Sequence, residues 1–462
     1  MPSIENELHD IQGNILRAYG FPFARYQVVR VTDRDGARRL LKSVLDQQLV
    51  TTATTWDPQS KPGATLNVFF SWTGLAAMGV PQSSLDTFAP EFREGMAVRK
   101  ELLGDVGASD PDIWEFGNDP DANHVFFAVY GRTLADRDRM LAQLRAELDA
   151  VGHAVEVTHR QDAAMLANRR EHFGFADGIG QPSIAGSGVR EYPGEGTLLP
   201  DGTWAPLAAG EFVLGWPGET GYAVEMPKPD ALGRNGSYLV YRKLEQHVPS
   251  FRAFLASQAE RIYGDVSPAA IERLAAKLVG RWRSGCPLMH APEADDETLA
   301  DDWDRNNDFG YAADPAGAIC PYGSHIRRMN PRDGRAGDAL VRTHRIVRRG
   351  LPYGSWLEAG TTDTEERGVA FMAINARIQY QFEFMQTEWI NSGEFASLSR
   401  DDVDPFAGVR RESSRFRIPT ADGPPRNIFN LPEFVTTRGG GYYFIPSITA
   451  LRFIAGETAG AP

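Results

Sequence analysis

Short alternating runs of hydrophobic and polar positions dominate the first 160 residues, and stretches of helical spacing separate them. Residues 26–31 (Tyr-Gln-Val-Val-Arg-Val) read as a strand. Leu40, Leu41, Val44 and Leu45 fall on one helical face. Leu66, Val68 and Phe70 alternate, as do Val125, Phe127 and Val129, which predicts two strands with one buried face each. Leu141, Leu144, Leu148 and Val151 repeat at helical spacing, and Thr133 with Asp136 supplies an N-terminal cap for that helix. Val155 and Val157 make a last short strand. Antiparallel alternation with intervening helices predicts an α+β fold of the ferredoxin-like kind.

Residues 186–210 are rich in Gly and Pro and read as a linker or long surface loop. They divide the chain into an N-terminal domain, 1–185, and a C-terminal domain, 211–462. In the second domain, residues 238–241, 369–374 and 442–445 read as strands, and 268–282 and 377–391 as helices. Residues 285–365 carry many Gly, Pro, Asp and Arg and little periodicity. A long irregular segment inside a compact domain is usually functional.

Composition narrows the function classes. The chain has 462 residues, enough for two domains and a large core, and a net charge of −13. That balance argues against nucleic acid, which needs a basic face. Cys286 and Cys320 allow one disulfide at most, so a reducing compartment fits. Residues 1–7 show no basic region followed by an apolar run, and no stretch of about 20 apolar residues could span a bilayer. The expectation is a cytoplasmic protein without a membrane partner, with a frayed tail at 458–462.

Two stretches carry chemistry. The first is Glu171-His172-Phe173-Gly174-Phe175-Ala176-Asp177-Gly178-Ile179-Gly180-Gln181-Pro182. Its glycines permit tight turns and close approach of a ligand. A carboxylate on such a turn, beside two phenylalanines, is expected to be poorly hydrated and aimed, as a proton-transfer group needs. The plain alternative is an ordinary Asp-Gly turn. The second stretch holds eight arginines, no lysine, and only Asp333 and Asp338 as acids between residues 325 and 349. An all-arginine cluster in an acidic chain favours bidentate recognition of an anion. Weak surface ion pairs are the alternative.

Together these motifs resemble the dye-decolourising peroxidase family of haem enzymes. The family's GxxDG motif stands here as Gly174-Phe175-Ala176-Asp177-Gly178. Its haem-ligand segment stands as His325-Ile326-Arg327-Arg328 with Asn330-Pro331-Arg332. Its distal arginine segment stands as Ile346-Val347-Arg348-Arg349-Gly350-Leu351-Pro352-Tyr353-Gly354. Asp10-Ile11-Gln12-Gly13-Asn14-Ile15-Leu16 resembles the family's opening. The length fits the larger, fungal-like branch.

The resemblance implies two ferredoxin-like domains with haem b in the second. The GxxDG motif then closes the first. It also implies a peroxidase that reduces hydrogen peroxide and oxidises phenolic or dye-like donors by one-electron steps. His325 is then the axial iron ligand, with His172 and His344 as competitors. Asp177 is the proton shuttle. An aspartate has a reference pKa of about 3.9 and still accepts a proton in acid, where an imidazole is already charged. Arg348 stabilises charge as the O–O bond breaks, with Arg345 and Arg349 as alternatives, since one residue of register flips a strand's face. Arg332 is the propionate partner, and Val369 and Phe371 wall the distal side. A carboxylate is expected behind the axial histidine, and Glu388, Glu394 and Asp404 all remain open. Trp389, Tyr353 and Tyr380 are possible relays for donors too large to reach haem. Two other classes compete. One is a haem store or iron-release protein, which would bind haem yet react slowly with peroxide. The other is a haem-free module whose arginines take an anionic metabolite, and an absorption spectrum separates it.

Overall fold

The computed structural model describes residues 3–57, 59–334, 338–394, 398–420 and 423–457, without the side chains of 338–340. The tail at 458–462 and Arg335 lie outside the described residues. Four strands come from the N-terminal half: β1 (Phe23–Val31), β2 (Ala64–Phe70), β3 (Val125–Gly131) and β4 (Val155–Ala164). A hairpin of two-residue strands, β5 (Thr197–Leu198) and β6 (Trp204–Ala205), lies in the Gly- and Pro-rich stretch. Then come β7 (Ser237–Gln246), β8 (Val347–Arg348), β9 (Leu351–Tyr353) and β10 (Gly368–Asn375). A separate hairpin, β11 (Arg415–Ile418) and β12 (Arg426–Phe429), precedes the last strand, β13 (Val435–Ile445).

Nine strands form one sheet in the order β4-β1-β3-β2-β13-β7-β10-β8, with β9 also on β10. With β8 and β9, which pair successively along β10, counted as one interrupted strand, each half reads 4-1-3-2 in chain order and pairs antiparallel throughout. The halves join where Phe444 pairs with Phe70. At the other end β4 lies against β9, so the sheet rolls up. The interior of the roll holds Tyr26, Phe126 and Tyr130 from one half and Tyr241, Met372 and Tyr443 from the other.

Helices cover the outside. Asp33 caps α1 (Arg34–Asp46) by accepting from the Gly36 N–H at 2.8 Å, and Leu40, Leu41, Val44 and Leu45 are buried as their spacing predicts. In α2 (Leu134–Ala150) the Thr133 hydroxyl accepts from the Asp136 N–H and donates to its carboxylate, which is the expected cap. The strands depart from expectation in one respect: β2 and β3 bury both faces. Leu66, Val68 and Phe70 pack outward under the helices while Phe69 enters the roll, because the C-terminal half covers the second face.

Gln12 fastens the seam. Its amide donates to Val68 O at 2.7 Å and Pro446 O at 2.8 Å, and its carbonyl accepts from Val68 N–H at 2.9 Å. Asp10 accepts from Asn235 and from the Thr449 N–H, both at 2.8 Å. The N-terminal motif therefore joins the two halves. In the second half, α3 (Val248–Tyr263) and α4 (Pro268–Val279) pack together, and α4 stops at Gly280, three residues short of the expected end. Residues 377–391, expected as an α-helix, are π-helical at Gln379–Glu383 and Met385–Ile390. The buried Gln381 side chain accepts from Arg377 N–H and donates to Glu211 O and Arg345 O, holding the wider coil to the segment before β8. Among the described residues no helix is long and apolar enough to cross a membrane.

Candidate active site

His325 opens a five-residue helix, α5 (His325–Met329). Its Nδ1 lies 2.8 Å from Oδ2 of Asp404. Asp404 is fully buried while the imidazole is 37% exposed. The other oxygen of Asp404 accepts the N–H groups of Phe406 and Ala407, each at 2.9 Å. Burial pushes the Asp404 carboxyl up, but His325, Arg328 and the Ala407 N–H outweigh it and hold it down at about 2. An ionised carboxylate fixes the proton on Nδ1 and leaves Nε2 as the free nitrogen. Among the three carboxylates left open by sequence, Asp404 is the one paired with His325.

The glycine-rich run forms a second wall. Gly174 and Gly178 have φ of 96° and 86°, a region that side chains avoid. The half-buried carboxylate of Glu171 accepts the N–H groups of Phe173 and Phe175 at 2.8 and 2.9 Å and an N–H of Gln246, tying the loop to β7. Phe173 and Phe175 turn into a core cluster with Phe251 and Phe406. They anchor the loop and do not dehydrate Asp177, whose side chain is half exposed. Asp177 accepts its neighbour's N–H, from Gly178, at 2.6 Å, and its Oδ1 stands 3.6 Å from Nη2 of Arg348. Phe406 meets the His325 ring edge-on at 5.8 Å, so one aromatic touches both the GxxDG loop and the histidine.

Strand register explains the arginines. In β8, Val347 enters the roll and Arg348 points to the opposite side, pairing across from Ala373. Arg348 also donates to Ile179 O at 3.0 Å, and its own N–H is taken by the Gln181 carbonyl at 2.9 Å. In β10, Ala370, Met372 and Ile374 line the interior. Val369 and Phe371 therefore share Arg348's side, half-buried. Arg349 is half-buried and donates to Asn14 O at 3.0 Å, into the N-terminal motif. Arg345 is buried and donates to Gly180 O at 3.1 Å. Arg332 donates to Asn307 O at 2.9 Å and Phe309 O at 2.6 Å and lies over the Phe309 ring. Burial first, then Arg332 and Arg348, lower Arg345 to about 9.

Two domain families match the chain: the DyP dimeric alpha+beta barrel domain over residues 10–165 and the Dyp-type peroxidase C-terminal domain over residues 219–422. A dye-decolorizing peroxidase of Mycena epipterygia is 31% identical over 489 residues, covering 97% of this chain and 87% of that one. The chain belongs to the dye-decolorizing peroxidase family. The multifunctional dye peroxidase DyP2 of an Amycolatopsis species is 30% identical over 413 residues, covering 84% and 81%. A dye-decolorizing peroxidase solved with 2,6-dimethoxyphenol superimposes with a TM-score of 0.83 at 28% identity, covering 97% of this chain and 99% of that one. The fungal enzyme of Auricularia auricula-judae gives 0.82 at 26% identity, with the same coverage. The chain is thus a peroxidase of a haem enzyme family.

Within a dye-decolorizing peroxidase the rival histidines have other duties. His172 is buried against Tyr353 O at 2.7 Å, and His344 is buried, stacked 3.7 Å from the Phe384 ring and bonded to Tyr380 O. The arginine cluster is also less uniform than its sequence. Arg327 binds Asp314 and Cys320 O, and Arg328 binds four backbone carbonyls. These two hold the irregular segment together and offer nothing to an anion. Of the proposed relays, Trp389 and Tyr353 are buried and Tyr380 is exposed. The two cysteines are free and buried. Sequence reading missed the roles of Glu171 and Gln381, whose side chains organise backbone; Glu171 stands in the glycine-rich stretch and Gln381 in the predicted helix at 377–391, and spacing alone marks neither as a partner of backbone groups.

Proposed function

We propose that the chain holds haem b between His325 on one side and Asp177, Arg348, Val369 and Phe371 on the other. The donor set fits. His325 presents one nitrogen and is backed by an ionised, buried carboxylate. The far wall joins apolar side chains to an acid–cation pair, and the buried arginines beside it suit the propionates, Arg332 among them. The sequence holds no Cys-x-x-Cys-His attachment motif, which favours a non-covalent haem.

Haem supplies the iron at which the peroxide O–O bond breaks and which takes electrons back singly from donors. The protein's part follows from its own groups. The Nε2 of His325 would hold the iron, and Asp404 keeps the Nδ1 proton in place. Asp177 accepts the proton of one peroxide oxygen and returns it to the other. Arg348, 3.6 Å from Asp177, stabilises the negative charge that develops on the departing oxygen. Hydrogen peroxide and small phenolic or dye-like reductants are the substrates we assign, and the free, buried cysteines suit a reducing, cytoplasmic setting.

The Asp177–Arg348 pair carries this reading, and stopped-flow mixing of holoenzyme with peroxide tests it. Arg348→Leu should slow the peroxide step by roughly 10²–10³, and Asp177→Asn by roughly 10²–10⁴ with haem retained. A near-normal rate in Asp177→Asn beside a collapsed rate in Arg348→Leu removes the aspartate from the mechanism.

A further inference from the structure

We propose that Asn307 is a positioning residue of the haem site: a neutral clamp that holds Arg281 and Arg332 together with their charges uncompensated, so that the carboxylates of haem are the anions that complete the cluster. The proposal rests on the reading above that Arg332 serves the propionates. Asn307 is buried, as are Arg281, Arg332 and Arg345. Its Oδ1 accepts from Nη2 of Arg281 at 2.7 Å and from Nη2 of Arg332 at 2.5 Å. The other acceptors of these two side chains are neutral as well. Arg281 donates to Gly285 O and Asn306 O, both at 2.8 Å, and Arg332 to Asn307 O and Phe309 O. Arg345 meets them at the end of the glycine-rich loop: it donates to Gly180 O, and a Cβ at Gly180 would stand 3.6 Å from Asn307 Oδ1. Arg332 and Arg345 line one cavity with Trp204, Asn330 and Asp333. Among the described residues no carboxylate forms an ion pair with Arg281, Arg332 or Arg345. The acids whose charge reaches the cluster are bonded elsewhere. Asp333 accepts the Tyr311 N–H at 2.5 Å, Asp308 the Trp204 indole N–H at 2.8 Å, and Glu195 the Ser183 hydroxyl at 3.2 Å.

Buried cations without a bonded acid are costly to keep. Burial, then the charge of Arg332, lowers Arg281 to about 10, so it is still charged at neutral pH. An aspartate at position 307 would suit the fold better. A carboxylate has the shape of the amide, would pair with both guanidiniums, and has no hydrogens left to place. The amide turns its oxygen to the arginines and leaves a buried Nδ2 without a hydrogen-bond partner among the described residues. That orphan donor is a cost a carboxylate avoids. What the amide preserves is charge. An aspartate would cancel the positive charge that attracts the propionates, whereas asparagine orients both guanidiniums and leaves their charge for the ligand. Arg281 then adds its charge behind Arg332, through an acceptor the two share.

Two measurements on the full chain test this: thermal unfolding without added haem, and titration with either haem or haem dimethyl ester, which has no carboxylates. Asn307→Asp should raise the Tm of the haem-free protein and yet weaken haem binding by about 10–100-fold, the range for one charged hydrogen bond. Its affinity for the ester should stay close to that of wild type. A merely structural role predicts the opposite coupling, in which a stabilised chain binds haem at least as well. Asn307→Ala serves if Asn307→Asp folds poorly. It removes the shared acceptor of the two guanidiniums, so haem affinity should fall more than ester affinity. An Asn307→Asp variant with wild-type haem affinity overturns the proposal, and so does an equal loss of haem and ester in either variant. Wild type separates the causes. If wild type binds haem and its ester equally well, the reading of Arg332 fails and this proposal with it. If wild type prefers haem and Asn307→Asp keeps that preference undiminished, only Asn307 is wrongly assigned.

Discussion

Replacing Asp404 with asparagine keeps the shape of the site and reverses one hydrogen bond. Oδ1 can still accept from Phe406 and Ala407. The amide then stands where Oδ2 met His325 Nδ1, and it donates. Nδ1 must become the acceptor, so the ring proton moves to Nε2, the nitrogen assigned to iron. Haem affinity should fall by about 100-fold, the upper end for losing a ligand's supporting carboxylate. The same change costs stability. Asp404 is depressed from 3.8 to about 2. At 1.36 kcal/mol per unit this is about 2 kcal/mol, present above 3.8 and lost as pH falls through about 2. Spread over a chain of 462 residues, that lowers Tm by only about 2 °C at neutral pH. Haem loss should therefore far exceed unfolding. The assay is haem titration of the apoprotein, paired with thermal unfolding. An Asp404→Asn variant that takes up haem with wild-type affinity and an unchanged spectrum would refute the tautomer argument.

Two further changes probe the scaffold. Gln12→Ala leaves buried backbone groups of Val68 and Pro446 without partners and should destabilise the protein by about 3 kcal/mol, read by chemical denaturation. Gly178→Ala forces a side chain onto a φ of 86° and disturbs the N–H that holds Asp177; it should cost about 1–2 kcal/mol and slow the peroxide step while haem binding persists.

What could be read from sequence followed from local spacing. Periodicity located α1, α2 and the long strands, because one face of each is dictated by a neighbour in its own half. It understated burial in β2 and β3, since the second covering face comes from residues more than 100 positions away. The π-helical turns were illegible because they depend on where the Gln381 side chain finds carbonyls in other segments. Among site residues, the contact of Arg348 with Asp177 depends on β8 placing Arg348 on the side away from the roll, a register that sequence only suggested. The Asp404 partnership spans 79 positions and could not be chosen over Glu388 or Glu394 without the fold. The phenylalanines around Asp177 were misread in purpose: their neighbours in space are core aromatics, not the carboxylate.

The most direct measurement is the absorption spectrum of His325→Ala beside wild type after both are offered haem. Wild type should take up haem and show its intense near-ultraviolet band. His325→Ala should fold, keep little haem and show that band weakly. Full haem occupancy with an unchanged spectrum in His325→Ala would contradict the assignment of His325 as the iron ligand, and with it the arrangement of both walls of the site.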